Sequence, residues 1–404
     1  MNEQLIVKNF GPIKDATVDF KRVTVFIGPT GGGKSTLAKL AAIFRDTNFY
    51  STHEEGGFNF FKDFYIHGHF TNNSVLTWTK GSDSILVQKN TIAINENLKN
   101  KIDSIDEDIP HHLFKKFFDQ VKLAIPKGTD INDDNNQIIL EREFKDFFSK
   151  TIIGPIYSQG ISPSHPSYIP SERGFIPAIE YSWAGLMRDD IGLSKIILDF
   201  ANSFSTSRKF VTELFIPFFN ITYQHINGRD FIKIPELEEP LALLETASGI
   251  QSVTPLLVLL ENLTRNSEQV QSFIVEEPEL NLYPAAQQGL LNWLIEKCTS
   301  NKNDLTVTTH SPYILSHLNL LLYAFQVAEK HPDRADDVAK IVPRESWINP
   351  NEFSAYYVNG PEGENGVRSL VDDETKLISR NGLDTVSGLQ ADLFDQLLDI
   401  NSGF

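Results

Sequence analysis

Gly28-Pro29-Thr30-Gly31-Gly32-Gly33-Lys34-Ser35-Thr36 completes the G-x-x-x-x-G-K-[ST] pattern of a phosphate-binding loop. No other stretch limits the fold as much, because such a loop works only between a buried strand and a helix N-terminus. Both neighbours are present. Val23-Thr24-Val25-Phe26-Ile27 is apolar and β-branched, as a buried strand requires. Leu37-Ala38-Lys39-Leu40-Ala41-Ala42-Ile43-Phe44 has helix-forming residues at helical spacing. Strand, turn and helix start together aim backbone N–H groups and the helix's positive end at a polyphosphate. Lys34 is placed to reach the β- and γ-phosphates and Ser35 to ligate Mg²⁺. A glycine-rich turn matches the pattern by chance when it stands alone; the flanking strand and helix argue against that here.

Bulk properties narrow the class. The chain has 404 residues, 41% hydrophobic and 22% charged, as in an ordinary globular protein of two or three domains or one core with insertions. One cysteine, Cys298, excludes an intramolecular disulfide and suits a reducing cytoplasm. The first residues read as a strand rather than a signal segment, and the apolar run at Leu256–Leu260 is too short to cross a bilayer. A soluble cytoplasmic protein is expected. The net charge of −17 argues against a nucleic-acid reader, whose affinity comes largely from neutralising phosphates. It leaves open a local basic groove in a dimer.

Along the chain, residues 1–95 read as strands, phosphate loop, helix and further antiparallel strands such as Ser74–Thr79 and Ser84–Val87. Residues 96–165 read as an inserted, mostly helical lobe, with charged and asparagine-rich pieces between aromatic runs at Leu113–Val121 and Phe144–Phe148. It has no sustained heptads. Residues 166–350 return to core-like sequence, with helices expected at Ile191–Ser203 and Phe210–Phe219. Residues 351–404 predict a hairpin at Ala355–Val358 and a closing helix at Ser387–Leu398. The fold class is α/β with a mixed sheet.

Three further motifs carry chemistry. Ser272-Phe273-Ile274-Val275-Glu276-Glu277-Pro278-Glu279 is a buried strand ending in adjacent carboxylates, where a phosphate-loop sheet holds its Mg²⁺-side acid. Glu276 is expected behind the metal through a water, and Glu277 beside the attacking water, to orient or deprotonate it. Alone, the same residues would read as a solvated acidic turn. Pro284 then starts a helix whose Leu290, Leu291, Leu294 and Ile295 form a core stripe. Leu305–Thr309 is a β-branched strand ending in His310, at the sheet edge where the other groups emerge. His310 is a candidate γ-phosphate or water contact, against the plain alternative of a structural histidine. The other nine histidines show no metal-ligand spacing and carry no assignment. Finally, Ser248-Gly249-Ile250-Gln251 precedes an apolar helix expected from Pro255 to Leu263. It is either a simple helix cap or a set of donors for an anion.

These motifs, in this order, resemble the ATP-binding-cassette ATPases of the AAA family. The resemblance is to the branch with SMC-type proteins and the bacterial OLD-family and Septu- or retron-associated ATPases. Leu5–Ile13 and Tyr168-Ile169-Pro170-Ser171-Glu172-Arg173 look like the same branch. It implies an ABC-type head that binds ATP and Mg²⁺. Ser248, Gly249 and Gln251 would belong to the signature that meets the γ-phosphate held by a second copy, with Asn281 in the loop crossing that interface. Two departures stand out: the signature lacks the full leucine–serine–glycine–glycine form, and Thr30 stands where the family often has asparagine. No Q-loop glutamine is assigned.

The resemblance implies an ATP hydrolase working as a head-to-head homodimer or higher oligomer. The short stretch after His310 argues against the Toprim nuclease of OLD proteins. In such branches the head often controls a separate nuclease or toxin in anti-phage defence, which is the leading expectation. The alternative is a DNA-repair or chromosome-maintenance ATPase that grips DNA directly. A transporter subunit fits the non-standard signature and long insertion poorly.

Overall fold

The computed structural model describes residues 3–46, 48–49, 54–88, 91–106, 166–179, 193–265, 270–360, 366–379, 393–394 and 396–397. Most of the expected inserted lobe therefore lies outside the described residues, including both aromatic runs. So does most of the expected closing helix.

The chain opens on the antiparallel pair β1 (Glu3–Phe10) and β2 (Ile13–Phe20), then β3 (Val23–Ile27) and α1 (Lys34–Arg45). Helix α2 (Glu54–Asp63) follows, then β4 (Val75–Lys80), β5 (Asp83–Gln88), β6 (Thr91–Ile94) and α3 (Glu96–Asp106). Strands β1, β2, β4, β5 and β6 form one antiparallel sheet in the order β2-β1-β4-β5-β6. Burial alternates along β4 and β5, as in a sheet with one face on the core.

β3 belongs to a different, six-stranded sheet. Its other members are β7 (Ser167–Ile169), β12 (Ser272–Glu276), β13 (Asp304–Thr309), β14 (Phe353–Val358) and β15 (Val367–Ser369), in the order β15-β14-β3-β13-β12-β7. All pairings are parallel except β14 with β15. β3, β12 and β13 are buried at every position, which explains their apolar or β-branched centres; the polar exceptions Ser272, Glu276 and Asp304 stand at strand ends. Alternate residues serve two cores. Val23, Val25, Ile27, Phe273, Val275, Leu305 and Val307 face the helical side. Phe26, Ile274, Tyr356 and Val358 face α1 and the β1–β6 sheet.

The helical layer contains α4 (Lys195–Ser207), α5 (Ser248–Thr264), α6 (Pro284–Cys298) and α7 (Pro312–Lys330). Leu290, Leu291, Leu294 and Ile295 of α6 are buried in it, and Pro284 is the first residue of that helix, as expected. Two expectations fail. Phe210–Phe219 is not a helix: Glu213–Ile216 is β8, in an antiparallel sheet ordered β11-β10-β9-β8 with β9 (Ile221–Ile226), β10 (Arg229–Lys233) and β11 (Leu241–Ala242). A short apolar run suits either state, and here Pro217 and the left-handed Asn220 turn the chain into a hairpin. The helix expected from Pro255 instead starts at Ser248, leaving Pro255 inside it.

Below the sheets lies a buried ionic knot. Arg45, at the end of α1, donates to Glu3 (2.7 Å), Asp304 (2.8 Å) and Ser272 (2.8 Å), and its guanidinium lies over the Phe20 ring. Trp78 Nε1 donates to the same Glu3. Against burial, Arg45 and Lys80 hold the Glu3 carboxyl below the usual carboxylate range. One guanidinium thus ties the outer sheet, α1 and the core strands together. Arg45→Ala strips two buried carboxylates of their nearest cation, leaving only the more distant Lys80, and is expected to cost about 3–5 kcal/mol, read as a lower urea midpoint. A variant within about 1 kcal/mol of the native chain would show that the knot is dispensable.

Candidate functional site

The phosphate loop sits at the C-terminal edge of β3, where ligands bind in parallel α/β sheets. Gly31 and Gly33 take positive φ (77° and 109°), conformations costly for any residue with a Cβ. Gly28 and Gly32 press on β14, where an added Cβ would overlap the Val358 carbonyl oxygen. Helix α1 has no side-chain cap. Its first N–H groups are therefore available to an anion.

Lys34 is buried, and its Nζ donates to the carbonyls of Gly28 (3.0 Å) and Pro29 (2.9 Å). Burial lowers its pKa below the ordinary lysine value, against the pull of Glu277, Glu279 and Glu276. It also lies 3.5 Å from His310 Nδ1, while His310 Nε2 lies 3.1 Å from Glu277 Oε1. An ammonium only donates, so Nδ1 accepts and the imidazole proton sits on Nε2, shared with Glu277. Lys34, His310 and Glu277 form one polar chain across a cavity of about 380 Å³. Pro12, Thr30, Gly31, Gly33, Ser35 and Thr36 complete much of its wall, together with His69.

The acidic turn divides its labour. Glu277 is partly open (26% side-chain exposure) and lines the cavity. Glu276 is 4% exposed, and its Oε1 has no hydrogen-bond partner. Glu279 Oε1 accepts from Thr309 Oγ1 (2.7 Å) and His310 N (2.9 Å), which pins the histidine strand to the turn. Burial pushes the Glu279 carboxyl above its ordinary range, those two donors opposing.

These residues fit Mg·ATP. The glycine conformations, the uncapped helix and the buried ammonium suit a polyphosphate. Glu276, buried, beside the Tyr168 hydroxyl and within electrostatic reach of Lys34, suits a hydrated cation, since its Oε1 has no hydrogen-bond partner of its own.

The loop, Glu277 and His310 converge in one chain. Ser248, Gly249 and Gln251 do not line that cavity. Ser248 is exposed at the start of α5, and Gly249 packs so closely on the next loop that a Cβ would lie 2.7 Å from the Asn281 carbonyl oxygen. Gln251 Nε2 donates to the carbonyls of Leu244 (2.8 Å) and Thr246 (2.7 Å) and so braces its own loop. Among the described residues, no group of three or more His, Cys, Asp or Glu has metal-holding geometry, and no helix is long and apolar enough to cross a membrane.

Pro12 and His69 escaped the sequence reading. Pro12 lies in the β1–β2 turn, and the Gly11 N–H donates to the His69 carbonyl oxygen (3.0 Å). Both reach the cavity only through tertiary packing, and no local pattern marks them.

A family model described as an AAA ATPase domain matches residues 1–163 and 189–315. No curated protein sequence matches the chain. Among solved structures, the SMC head domain from Thermotoga maritima is 13% identical, covering 78% of this chain and 92% of its own, with a TM-score of 0.38. An Smc head domain with an extended coiled coil, bound to the C-terminal domain of ScpA and derived from Pyrococcus furiosus, is 12% identical. That match covers 96% of this chain and 98% of its own, with a TM-score of 0.41. The family match spans more than half of the chain and takes in the phosphate loop, the acidic turn and His310, so the chain belongs to the AAA ATPase domain family and is a P-loop ATPase.

Proposed function

We propose that two copies of this chain close head to head over Mg·ATP and hydrolyse it, and that the ATP-linked closure regulates a separate effector. The Lys34–His310–Glu277 chain around the phosphate-loop cavity is the observation that carries this reading. Lys34 and the loop N–H groups bind the phosphates. Mg²⁺, held by Ser35 and backed by Glu276 through water, would neutralise phosphate charge during transfer. Glu277 takes the proton of the attacking water, and His310 fixes the orientation of that carboxylate. Among the described residues, the cavity lining includes no donors from α5. The exposed Ser248 and the N-terminus of α5 in the second copy would supply them, completing the charge-stabilising shell.

The resemblance to OLD-, Septu- and retron-associated ATPases supports a role in anti-phage defence in the cytoplasm, with a nuclease or toxin as effector. The net charge of −17 favours a protein effector over direct DNA gripping.

Ser248→Arg tests the dimer. It is expected to leave ATP affinity within about twofold while lowering turnover at least about tenfold and removing the ATP-dependent rise in mass by light scattering. Loss of ATP binding by the isolated subunit would show that Ser248 serves its own chain instead.

A further inference from the structure

Arg173 is fully buried, yet the polypeptide spends its guanidinium on backbone oxygens. Nη1 donates to Pro170 O (3.0 Å) and Glu276 O (2.6 Å), and Nη2 to Glu277 O (2.7 Å). Its placement follows from strand register. β7 runs parallel to β12, with Tyr168 beside Ile274 and Ile169 beside Val275, so both strands end together. The 3₁₀ turn Ser171–Phe175 then carries Arg173 directly under the Glu276–Glu277 peptide.

Glu277 has a conformation that needs holding. Its φ is +42°, in the left-handed region that residues with a Cβ seldom occupy. Its N–H donates to Thr308 O (2.9 Å) on β13, and its carbonyl accepts from Arg173. The peptide is clamped from both sides, and its side chain is thereby aimed at His310 and the cavity.

We propose that Arg173 is a positioning residue for hydrolysis, clamping the Glu276 and Glu277 carbonyls so that the Glu277 carboxylate faces the attacking water. It touches no substrate and acts only through Glu277. Four carboxylates, Glu279, Glu276, Glu277 and Glu172, surround it and favour its charged form against burial, which lowers its pKa to about 10. The cation therefore persists at neutral pH. This inference rests on the reading of Glu277 as the group that activates water.

The test compares R173M and R173K in the full chain, each also combined with E277Q. ATP affinity is read with a fluorescent analogue, and kcat and KM by phosphate release. In R173M, kcat is expected to fall at least about 30-fold with KM within about threefold, because phosphate binding is left intact. R173K, which keeps one charged donor, is expected to recover part of the loss. Should R173M fail to fold, R173K carries the same comparison. In the E277Q background neither substitution is expected to lower the residual rate further, since groups acting through one another are non-additive. Native kcat in R173M, or an equal further loss on top of E277Q, overturns the assignment. If the native chain itself does not hydrolyse ATP, the reading of the site fails first. If it does hydrolyse ATP and E277Q is defective while the Arg173 variants are normal, only the clamp is wrong.

Discussion

Replacing Lys34 by alanine is expected to abolish useful ATP binding. The ammonium is buried and held by two carbonyls of the loop it serves, so it is prepaid in position for a phosphate. Removing one partner of a buried charge pair costs about 3 kcal/mol or more, roughly 100-fold in affinity. The fold should survive, because the loop's shape rests on its glycine conformations and on its close contact with β14 rather than on Lys34 alone. Calorimetric titration with Mg·ATP, beside a thermal melt, separates the two effects. Native affinity in a well-folded K34A chain would mean that phosphates are not held in this loop.

Glu277→Gln should give the opposite separation. Glutamine has the shape of glutamate and an amide oxygen that can still accept from His310 Nε2, so the 3.1 Å contact can persist. What disappears is a group able to take a proton from water, worth about 100- to 10,000-fold in rate. ATP should bind normally, turn over slowly and hold the two copies together, giving a dimer by light scattering where the native chain cycles. A monomeric E277Q chain with full turnover would remove Glu277 from the chemistry.

The parts that were legible beforehand are those coded by neighbours in sequence. Glycine spacing before Lys34 dictates loop geometry, and a β-branched run ending in Glu276–Glu277 or in His310 dictates a buried strand with its polar end at the sheet edge. Pro284 marked a helix start because its missing N–H costs nothing there. Illegible features depend on which distant segments pair. Arg173 looks like a charged residue in a turn until the β7–β12 register places it under Glu277. His69 comes to the cavity from the turn His67–His69, which is tied to Gly11 by its backbone and packed on Phe10, contacts between segments far apart in sequence. The start of α5 was missed because Ser248–Thr254 is half polar, and burial against the 3₁₀ turn and α4, rather than propensity, makes it helical. The strand at Glu213–Ile216 was lost to an apolar run too short to show a period.

The hairpin strand Phe353–Val358 inserts beside β3, and the Val358 carbonyl presses on Gly28 and Gly32. The opposite neighbour of β3 is β13, also from the last third of the chain. A ribosome that has released only the opening segments has therefore made every glycine of the nucleotide cradle but neither of the strands that brace it. The cradle matures late in synthesis, after more than three hundred residues have waited for their partners, and long-separated pairing of this kind is slow. ATP added to a stalled nascent chain lacking β14 should find nothing rigid to grip.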